Sequence, residues 1–248
     1  MSVGASVIDR AIDLPPLYSL VALREAGDAF AHACSIAGED GAGTLVWARR
    51  YDLAEFAVVL EPEEPFAHAR LAIYAGMNAL ADALATHAPP SRPITLDWPD
   101  AVRVDGVLVG GGRLGWPPGT RDDETPEWLV FGAMIRTVAV RTGEPGLRPL
   151  FGGLDELGFE DPDAGEIIAS FSRHLMTAFD EWSDGGFEPI ARHWLNRLGP
   201  IGQEARIADN GDLLRSQKPG QETSERQNLA EAIASPSWLD PATGTPWL

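Results

Sequence analysis

The stretch from Ile94 to Gly112 (ITLDWPDAVRVDGVLVGGG) constrains the fold more than any other part of the chain. Val102 and Val104 alternate with small or polar neighbours, which is the two-residue period of a half-buried strand. Asp105-Gly106 suits a tight type I′ turn, because both central residues of that turn take positive φ. The pattern predicts two short strands joined by this turn. The glycines Gly110–Gly112 then leave room for backbone or a ligand to approach closely.

Composition and charge narrow the class of protein. Apolar residues make up 44% of the 248-residue chain and charged residues 23%, as in soluble globular proteins. The net charge of −18 argues against nucleic acids and anionic membranes as partners. No apolar run is long enough to span a bilayer, and the first residues do not resemble a signal peptide. Cys34 is the single cysteine, which excludes an internal disulfide and predicts a cytoplasmic location.

Lysine usage limits the chemistry that is possible. Among the 19 basic residues only Lys218 is a lysine. No lysine before this position can therefore act as a nucleophile, a base or a compact phosphate clamp. Cys34 lies near the apolar face of a predicted helix, where a buried thiol is favoured over a nucleophile.

Hydrophobic periodicity predicts alternating short strands and amphipathic helices along the chain. The predicted strands are 17–21, 43–48, 55–61 and 128–140, besides the opening hairpin, and the predicted helices are 22–37, 66–88, 164–182 and 187–198. A long loop over 113–127 could serve as a lid or a binding loop. In the tail we predict a hairpin over 205–215 and a short polar helix over 223–234. The last residues, with two tryptophans, should fold back on the main domain.

Several residues are candidates for binding or metal chemistry. Arg49 and Arg50 end a buried strand, where they could grip an anion or lie solvated in a loop. Gly132 inside a strand suggests close approach of a ligand or of backbone, and Arg136 shares a strand face with Met134. Asp97 and Asp100 could together hold Mg²⁺ or share a proton. We favour instead an ion pair from Asp97 to Arg113 or Arg136, and we predict no metal site.

The element order, with the Trp98-Pro99 hairpin and the Val130–Val138 strand, resembles the biotin and lipoate protein ligase superfamily over about residues 17–215. That resemblance implies an α+β fold with a mixed, largely antiparallel sheet packed against helices. It also implies a ligase-like domain over 1–198. Residues 199–248 would form a small C-terminal β/α extension, a reduced counterpart of the family's SH3-like domain.

The departures from the family pattern fall on its chemistry. Asp97 stands where the family has the first lysine of its Trp-Pro motif, and Val107 or Leu108 stands in place of the catalytic lysine. Met134 replaces the second glycine of the family's Gly-x-Gly-x-Asn strand, and Arg136 replaces the asparagine. The Arg/Gly-rich lid that orders over an acyl-adenylate in family ligases is missing. The octanoyl-transferase branch, which pairs a cysteine with a lysine, is rejected because no lysine is available and Cys34 lies in the wrong segment.

Three interpretations follow. The first is a ligase-like protein that has lost adenylation and binds a small carboxylate, acyl or nucleotide ligand in the remnant pocket. The second is an active biotin- or lipoyl-type ligase or acyltransferase with arginines in place of lysine, which would need ATP, biotin or lipoate and an unidentified acceptor protein. The third is a structural or interaction module whose pocket is filled by its own tryptophans. The predicted ligand-binding residues are Arg49, Arg50, Asp97, Trp98, Asp100, Gly110, Gly111, Gly112, Arg113, Gly132 and Arg136.

Overall fold

The computed structural model describes residues 12–140, 150–199, 204–216 and 224–247. Seven strands form one mixed sheet in the order β1-β2-β3-β7-β6-β5-β4. The strands are β1 Ser19–Leu23, β2 Thr44–Arg49, β3 Leu53–Leu60, β4 Ile94–Asp97, β5 Ala101–Val104, β6 Val107–Gly115 and β7 Leu129–Arg136. Strand β1 pairs with β2 in parallel, and every other pair in this sheet is antiparallel. The predicted α+β class with a mixed, largely antiparallel sheet is confirmed.

Helices cover both faces of the sheet. They are α1 Ala29–Asp40, α2 Phe66–Ala69, α3 Ala72–His87, α4 Ala164–Gly185, α5 Phe187–Asn196 and α6 Leu229–Ile233. Alternate residues of β3 separate the two faces: Phe56 and Val58 join the large core with α3, α4 and α5, whereas Ala57 and Val59 pack with α1. We call these the helix face and the α1 face of the sheet.

The opening stretch is a three-stranded meander rather than a single hairpin, since β4 also pairs with β5. The predicted turn is confirmed, with φ values of 50° at Asp105 and 81° at Gly106. Strand β6 runs on to Gly115, so Arg113 lies in the sheet and not in the predicted loop. The reason is that residues Gly110–Gly115 continue the ladder with β7.

Two predicted helices have different bounds. Helix α1 begins at Ala29 and not at residue 22, because the Asp28 side chain caps it by accepting from the Ala31 N–H at 2.9 Å. The predicted helix over 66–88 is divided at Arg70-Leu71. There the Leu71 N–H donates to the His68 carbonyl, which is the tighter three-residue spacing of a 3₁₀ turn.

The C-terminal part adds two small sheets. Strands β8 Glu204–Ile207, β9 Leu213–Ser216 and β10 Ser224–Gln227 form an antiparallel sheet, and β11 Leu239–Asp240 pairs with β12 Thr245–Pro246. The 205–215 hairpin is confirmed. The predicted helix over 223–234 is wrong in its first half, since β10 precedes α6 and Asn228 caps α6 by accepting from the Glu231 N–H at 3.1 Å. Leu229 and Ile233 join the main core, so a domain boundary at residue 198 stays a prediction.

Among the helices of the described ranges, none combines the length and apolar character required to cross a bilayer.

Candidate functional site

The three glycines of β6 make the close approaches that the sequence predicts, and the protein itself fills them. A Cβ at Gly110 would lie 1.9 Å from the Met134 carbonyl oxygen, and one at Gly111 would lie 2.3 Å from the Trp238 ring. Gly112 faces the other way, where a Cβ would lie 2.7 Å from the Phe131 ring. We call the space above Gly111 on the α1 face the glycine-strand cleft.

Trp238 occupies the glycine-strand cleft. Its side chain is fully buried, and its Nε1–H donates to the Gly112 carbonyl at 2.8 Å. The ring packs in a small apolar cluster with Leu108 and Met134. Leu108, one of the two candidates for the catalytic lysine position, and Met134, at the position of the family's second glycine, therefore belong to the same apolar cluster as this indole.

The C-terminal segment, residues 237–247, is fastened to the sheet at two further points. The Ser237 N–H and hydroxyl donate to the Asp100 carboxylate at 3.1 and 2.7 Å. Arg136 donates through Nη2 to the Pro246 carbonyl at 2.8 Å. The tail thus folds back as expected, and it covers two of the predicted ligand-binding residues.

Asp100 and Asp97 have separate partners. Burial raises the pKa of Asp100 to about 6, although the Ser237 hydrogen bonds act in the opposite direction. Asp97 pairs with Arg103 at 2.6 Å, so the expected ion pair forms but with a different arginine from Arg113 or Arg136. In the described ranges no group of three His, Cys, Asp or Glu side chains is placed to hold a metal ion.

Arg136 is buried, with an exposed fraction of only 2%, and its Nη1 lies 3.9 Å from the Asp52 carboxylate. Burial lowers its pKa. Its Nε has no hydrogen-bond partner among the described residues. Arg136 is therefore committed to internal contacts with the C-terminal segment and with the turn after β2.

A second group of charges lies beside the cleft at the start of α1. The Arg113 guanidinium stacks 4.0 Å from the centre of the Phe30 ring and pairs with Asp28 at 3.3 Å. Glu55 of β3 accepts from the Ala29 N–H at 2.9 Å, and Arg50 Nη1 lies 3.7 Å from its other oxygen. Burial raises the pKa of Glu55. Each charge here is matched by an internal partner.

Gly132 and Cys34 belong to the same region. A Cβ at Gly132 would lie 2.5 Å from the Phe30 ring, so the close neighbour is a side chain and not a ligand or backbone. Burial raises the pKa of the Cys34 thiol to about 11. A thiol in that state is protonated at neutral pH, which agrees with its interpretation as a packing residue.

Trp98 lies apart from these residues, on the helix face. Its Nε1–H donates to the Tyr74 hydroxyl at 2.7 Å, and its ring packs against the large core. The structure therefore divides the predicted site, because Trp98 and Arg136 lie on opposite faces of the sheet. A single pocket lined by both residues does not form.

Arg49 and Arg50 line an open cavity of about 780 Å³ at the edge of the sheet, which we call the edge cavity. Its wall includes Trp47, Thr137 and the first turn of α4, together with the basic Arg173 and the acidic residues Asp13, Asp161, Asp163 and Glu166. The Arg49 guanidinium lies 5.5 Å from the centre of the Trp47 ring, and the Trp47 Nε1–H has no hydrogen-bond partner among the described residues. These two predicted residues line open space.

Sequence reasoning missed four residues that shape this region. Glu55 is an acid in an otherwise apolar strand, and that pattern could have marked it. Trp238 was expected to be buried, but nothing local indicates where. Phe30 and Ser237 carry no sequence signal for their contacts. Phe30 lies against Gly132 and Ser237 donates to Asp100, and the residues of each pair are more than 100 positions apart in the sequence.

The space above Gly111 and the link after β2 differ from what the resemblance implies. It implies a ligand beside the family's Gly-x-Gly-x-Asn strand, which corresponds to residues 130–138, covered by a lid. Here the Trp238 ring is in contact with the Gly111 backbone, and the link between β2 and β3 is only three residues long, from Arg50 to Asp52. The space beside the Gly111 backbone is thus taken by a side chain of the protein itself.

Comparisons with known proteins agree with the fold. The chain resembles a biotin protein ligase-like protein of unknown function from Silicibacter sp. TM1040, with a TM-score of 0.76 and 27% identity over 89% of this chain and 98% of that one. It also resembles the apo biotin protein ligase from Aquifex aeolicus, with a TM-score of 0.65 and 17% identity over 84% and 95% of the two chains.

A comparison with curated proteins found no match. The biotin/lipoate A/B protein ligase family matches residues 14–196, which is most of the chain. The chain belongs to the biotin/lipoate A/B protein ligase family.

Proposed function

We propose that this chain is a ligase-like protein that has lost acyl-adenylate formation and binds a small anionic ligand, of the carboxylate, acyl or nucleotide class, in the edge cavity. The single observation that carries the first half is the Trp238 ring, fully buried in the glycine-strand cleft. A side chain in that position excludes the adenylate that a family ligase would form there.

Charge supports the same conclusion. Acyl-adenylate formation brings a carboxylate against a phosphate, and fixed positive charge must stabilise the transition state. Leu108 supplies none, while Arg113 and Arg136 are held by Asp28 and by the Pro246 carbonyl. Arginine also cannot accept a proton, since it stays charged in proteins. Loss of one such group typically slows a reaction about a hundredfold or more.

The second half rests on the edge cavity. Its volume of about 780 Å³ is within the range of small-molecule sites. Arg49 at the end of β2 lines it, and a guanidinium group binds carboxylates and phosphates through paired hydrogen bonds. Arg50 also lines the cavity, but its Nε and Nη2 already donate to the Asp52 carboxylate at 3.2 Å. The Trp47 ring lines the same cavity, and the Arg49 guanidinium lies 5.5 Å from its centre.

Adenylation is tested by ATP–pyrophosphate exchange with biotin, lipoate and octanoate in turn, beside a biotin ligase as positive control. We expect no exchange above background with any of the three acids. Exchange that depends on one of them would overturn the proposal and support an active enzyme that uses arginines in place of lysine.

Ligand binding is tested by thermal shift with octanoate, lipoate, biotin, ATP and AMP. A ligand at a hundred times its Kd should raise Tm by about 5 °C or more in a chain of this size. The shift should disappear in Arg49→Ala and persist in Arg192→Ala, which removes an exposed arginine from α5. No shift with any probe, or an equal shift in Arg49→Ala, would contradict binding in the edge cavity.

The filled cleft also favours a second candidate function, that of a structural or interaction module, because a pocket plugged by its own tryptophan is the arrangement expected of one. The two candidates separate in the same experiment. Absence of both exchange and thermal shift would leave the module as the better interpretation.

A further inference from the structure

A second cavity, of about 640 Å³, lies on the helix face of the sheet, and we call it the helix-face cavity. It lies between β3, the start of α3 and the C-terminal half of α4. Its apolar wall includes Val58, Leu60, Ala72, Leu175, Phe179 and Trp182. None of its lining residues also lines the edge cavity, and the glycine-strand cleft is on the other face of the sheet. It is therefore a separate site from those discussed above.

Apolar side chains at the mouth of this cavity are left partly in water. Leu17 is 71% exposed. The rings of Phe179 and Trp182 are half-buried and stack with centroids 6.2 Å apart. Partly exposed apolar groups on a concave surface favour an apolar ligand. Its binding removes the apolar surface of the ligand and that of the cavity from water.

The charge around the cavity is of one sign. Glu61, Glu63, Glu64 and Asp180 line it, and the described lining contains neither arginine nor lysine. One of the four carboxylates is matched, since Glu64 pairs with His68 at 2.8 Å. The other three would repel a carboxylate or phosphate and attract an ammonium group. Aromatic faces at the mouth add a cation–π attraction of the same sign.

We propose that the helix-face cavity binds a cationic amphiphile, a small molecule with an apolar body and an amine or quaternary ammonium head. The apolar body packs on the partly exposed Leu17, Leu60 and Phe179. The head lies at the mouth between the rim carboxylates and Trp182. The described lining of this site has no arginine or lysine, whereas the edge cavity is lined by both acidic residues and arginines, and the proposal does not depend on the proposed function.

The test is isothermal titration with decyltrimethylammonium below its micelle concentration at low salt. Decanoate and decanol serve as the anionic and neutral probes of equal chain length. We expect saturable one-to-one binding of the ammonium probe, at least about tenfold tighter than that of decanoate. Raising the salt should narrow that ratio, because screening weakens the rim charges. Equal or tighter binding of decanoate, or no saturable binding, would overturn the proposal.

Two variants locate the binding. Met176→Trp places a larger side chain in the cavity and should weaken the ammonium probe at least about tenfold. The rim variant Glu61→Gln, Glu63→Gln, Asp180→Asn changes only side chains at the surface and should reduce the preference over decanoate at least about fivefold. Its matched control, Glu25→Gln, Asp209→Asn, Glu231→Gln, removes the same charge from exposed positions elsewhere. An equal loss of preference in the control would contradict a local site, and if Met176→Trp fails to fold, the rim variant decides.

Discussion

The glycine-strand cleft and the helix-face cavity show two outcomes for concave space in one molecule. The cleft has a floor of glycines, the usual sign of a ligand site, yet Trp238 fills it and Asp100 and Arg136 bind the segment that carries Trp238. The helix-face cavity has no glycine-rich motif, and about 640 Å³ of it is open.

The difference shows that glycines provide room beside a strand, but that this room is not necessarily left open to a ligand. Whether such a floor becomes a binding site depends on what the rest of the chain places above it. In this protein a segment more than 120 residues later in the sequence occupies the space beside Gly111. Substitutions in the glycine-strand cleft and in the helix-face cavity test this comparison.

The largest effect should come from Trp238→Ala. Removing a fully buried indole and its hydrogen bond to the Gly112 carbonyl should lower the free energy of unfolding by about 3–5 kcal/mol. Urea unfolding measures it. Trp182→Ala, which truncates a half-buried indole at the helix-face cavity, should cost less than about 2 kcal/mol. Equal losses in the two variants would show that Trp238 is not a structural plug.

Gly111→Ala should be next in size. The added Cβ would lie 2.1 Å from the Asp100 carbonyl oxygen and 2.3 Å from the Trp238 ring, and such overpacking typically costs about 1–3 kcal/mol. Gly38→Ala is the matched control, because it lies inside α1 with its nearest neighbour 3.9 Å away. That variant should gain about 0.5–1 kcal/mol from helix propensity. Thermal melts of both proteins should therefore shift in opposite directions.

A smaller effect should appear in the pH dependence of stability. The folded pKa of Asp100, about 6, lies above its ordinary value of 3.8. The stability that this shift contributes is complete below the unfolded pKa and is lost as pH rises through the folded one. Between pH 8 and pH 5 the wild type should gain about 1.4 kcal/mol relative to Asp100→Asn. Urea titrations at each pH check this, with the exposed Asp105→Asn as control; a pH-independent difference would refute it.

The smallest effect should come from Leu17→Ala. Its side chain lies at the mouth of the helix-face cavity and is 71% exposed, so its loss should change the free energy of unfolding by less than about 0.5 kcal/mol. A cost above 1 kcal/mol in urea unfolding would mean that the mouth is packed in solution and the cavity closed.

Local signals in the sequence predicted the parts of the fold that depend on local chemistry. Asp105-Gly106 predicts its turn because Asp and Gly are among the residues that adopt the positive φ required at both central positions. The start of α1 was misplaced because the apolar period continues upstream, while the cap that decides the boundary is a single residue, Asp28.

The candidate site was harder to predict, since its geometry depends on contacts between distant segments. The sequence marks Arg50, Arg113 and Arg136 as candidate cations, but their respective partners Asp52, Asp28 and the Pro246 carbonyl are seen only in the tertiary structure. Trp98 carries the clearest family motif, yet strand direction places it on the helix face. A tryptophan in the C-terminal tail indicates that its side chain is buried, but it does not indicate which part of the molecule it packs against.

On the α1 face of the sheet, the Glu55 carboxyl group occupies the position beside the Ala29 amide. It meets the Ala29 amide and sits near Arg50, so the chain supplies from its own third strand the kind of group that an acid guest would otherwise bring. An incoming carboxylate would meet the Glu55 carboxyl group, which already accepts the Ala29 N–H. Displacing Glu55 would leave its carboxyl group without the Ala29 N–H, so the space beside that amide disfavours acidic ligands.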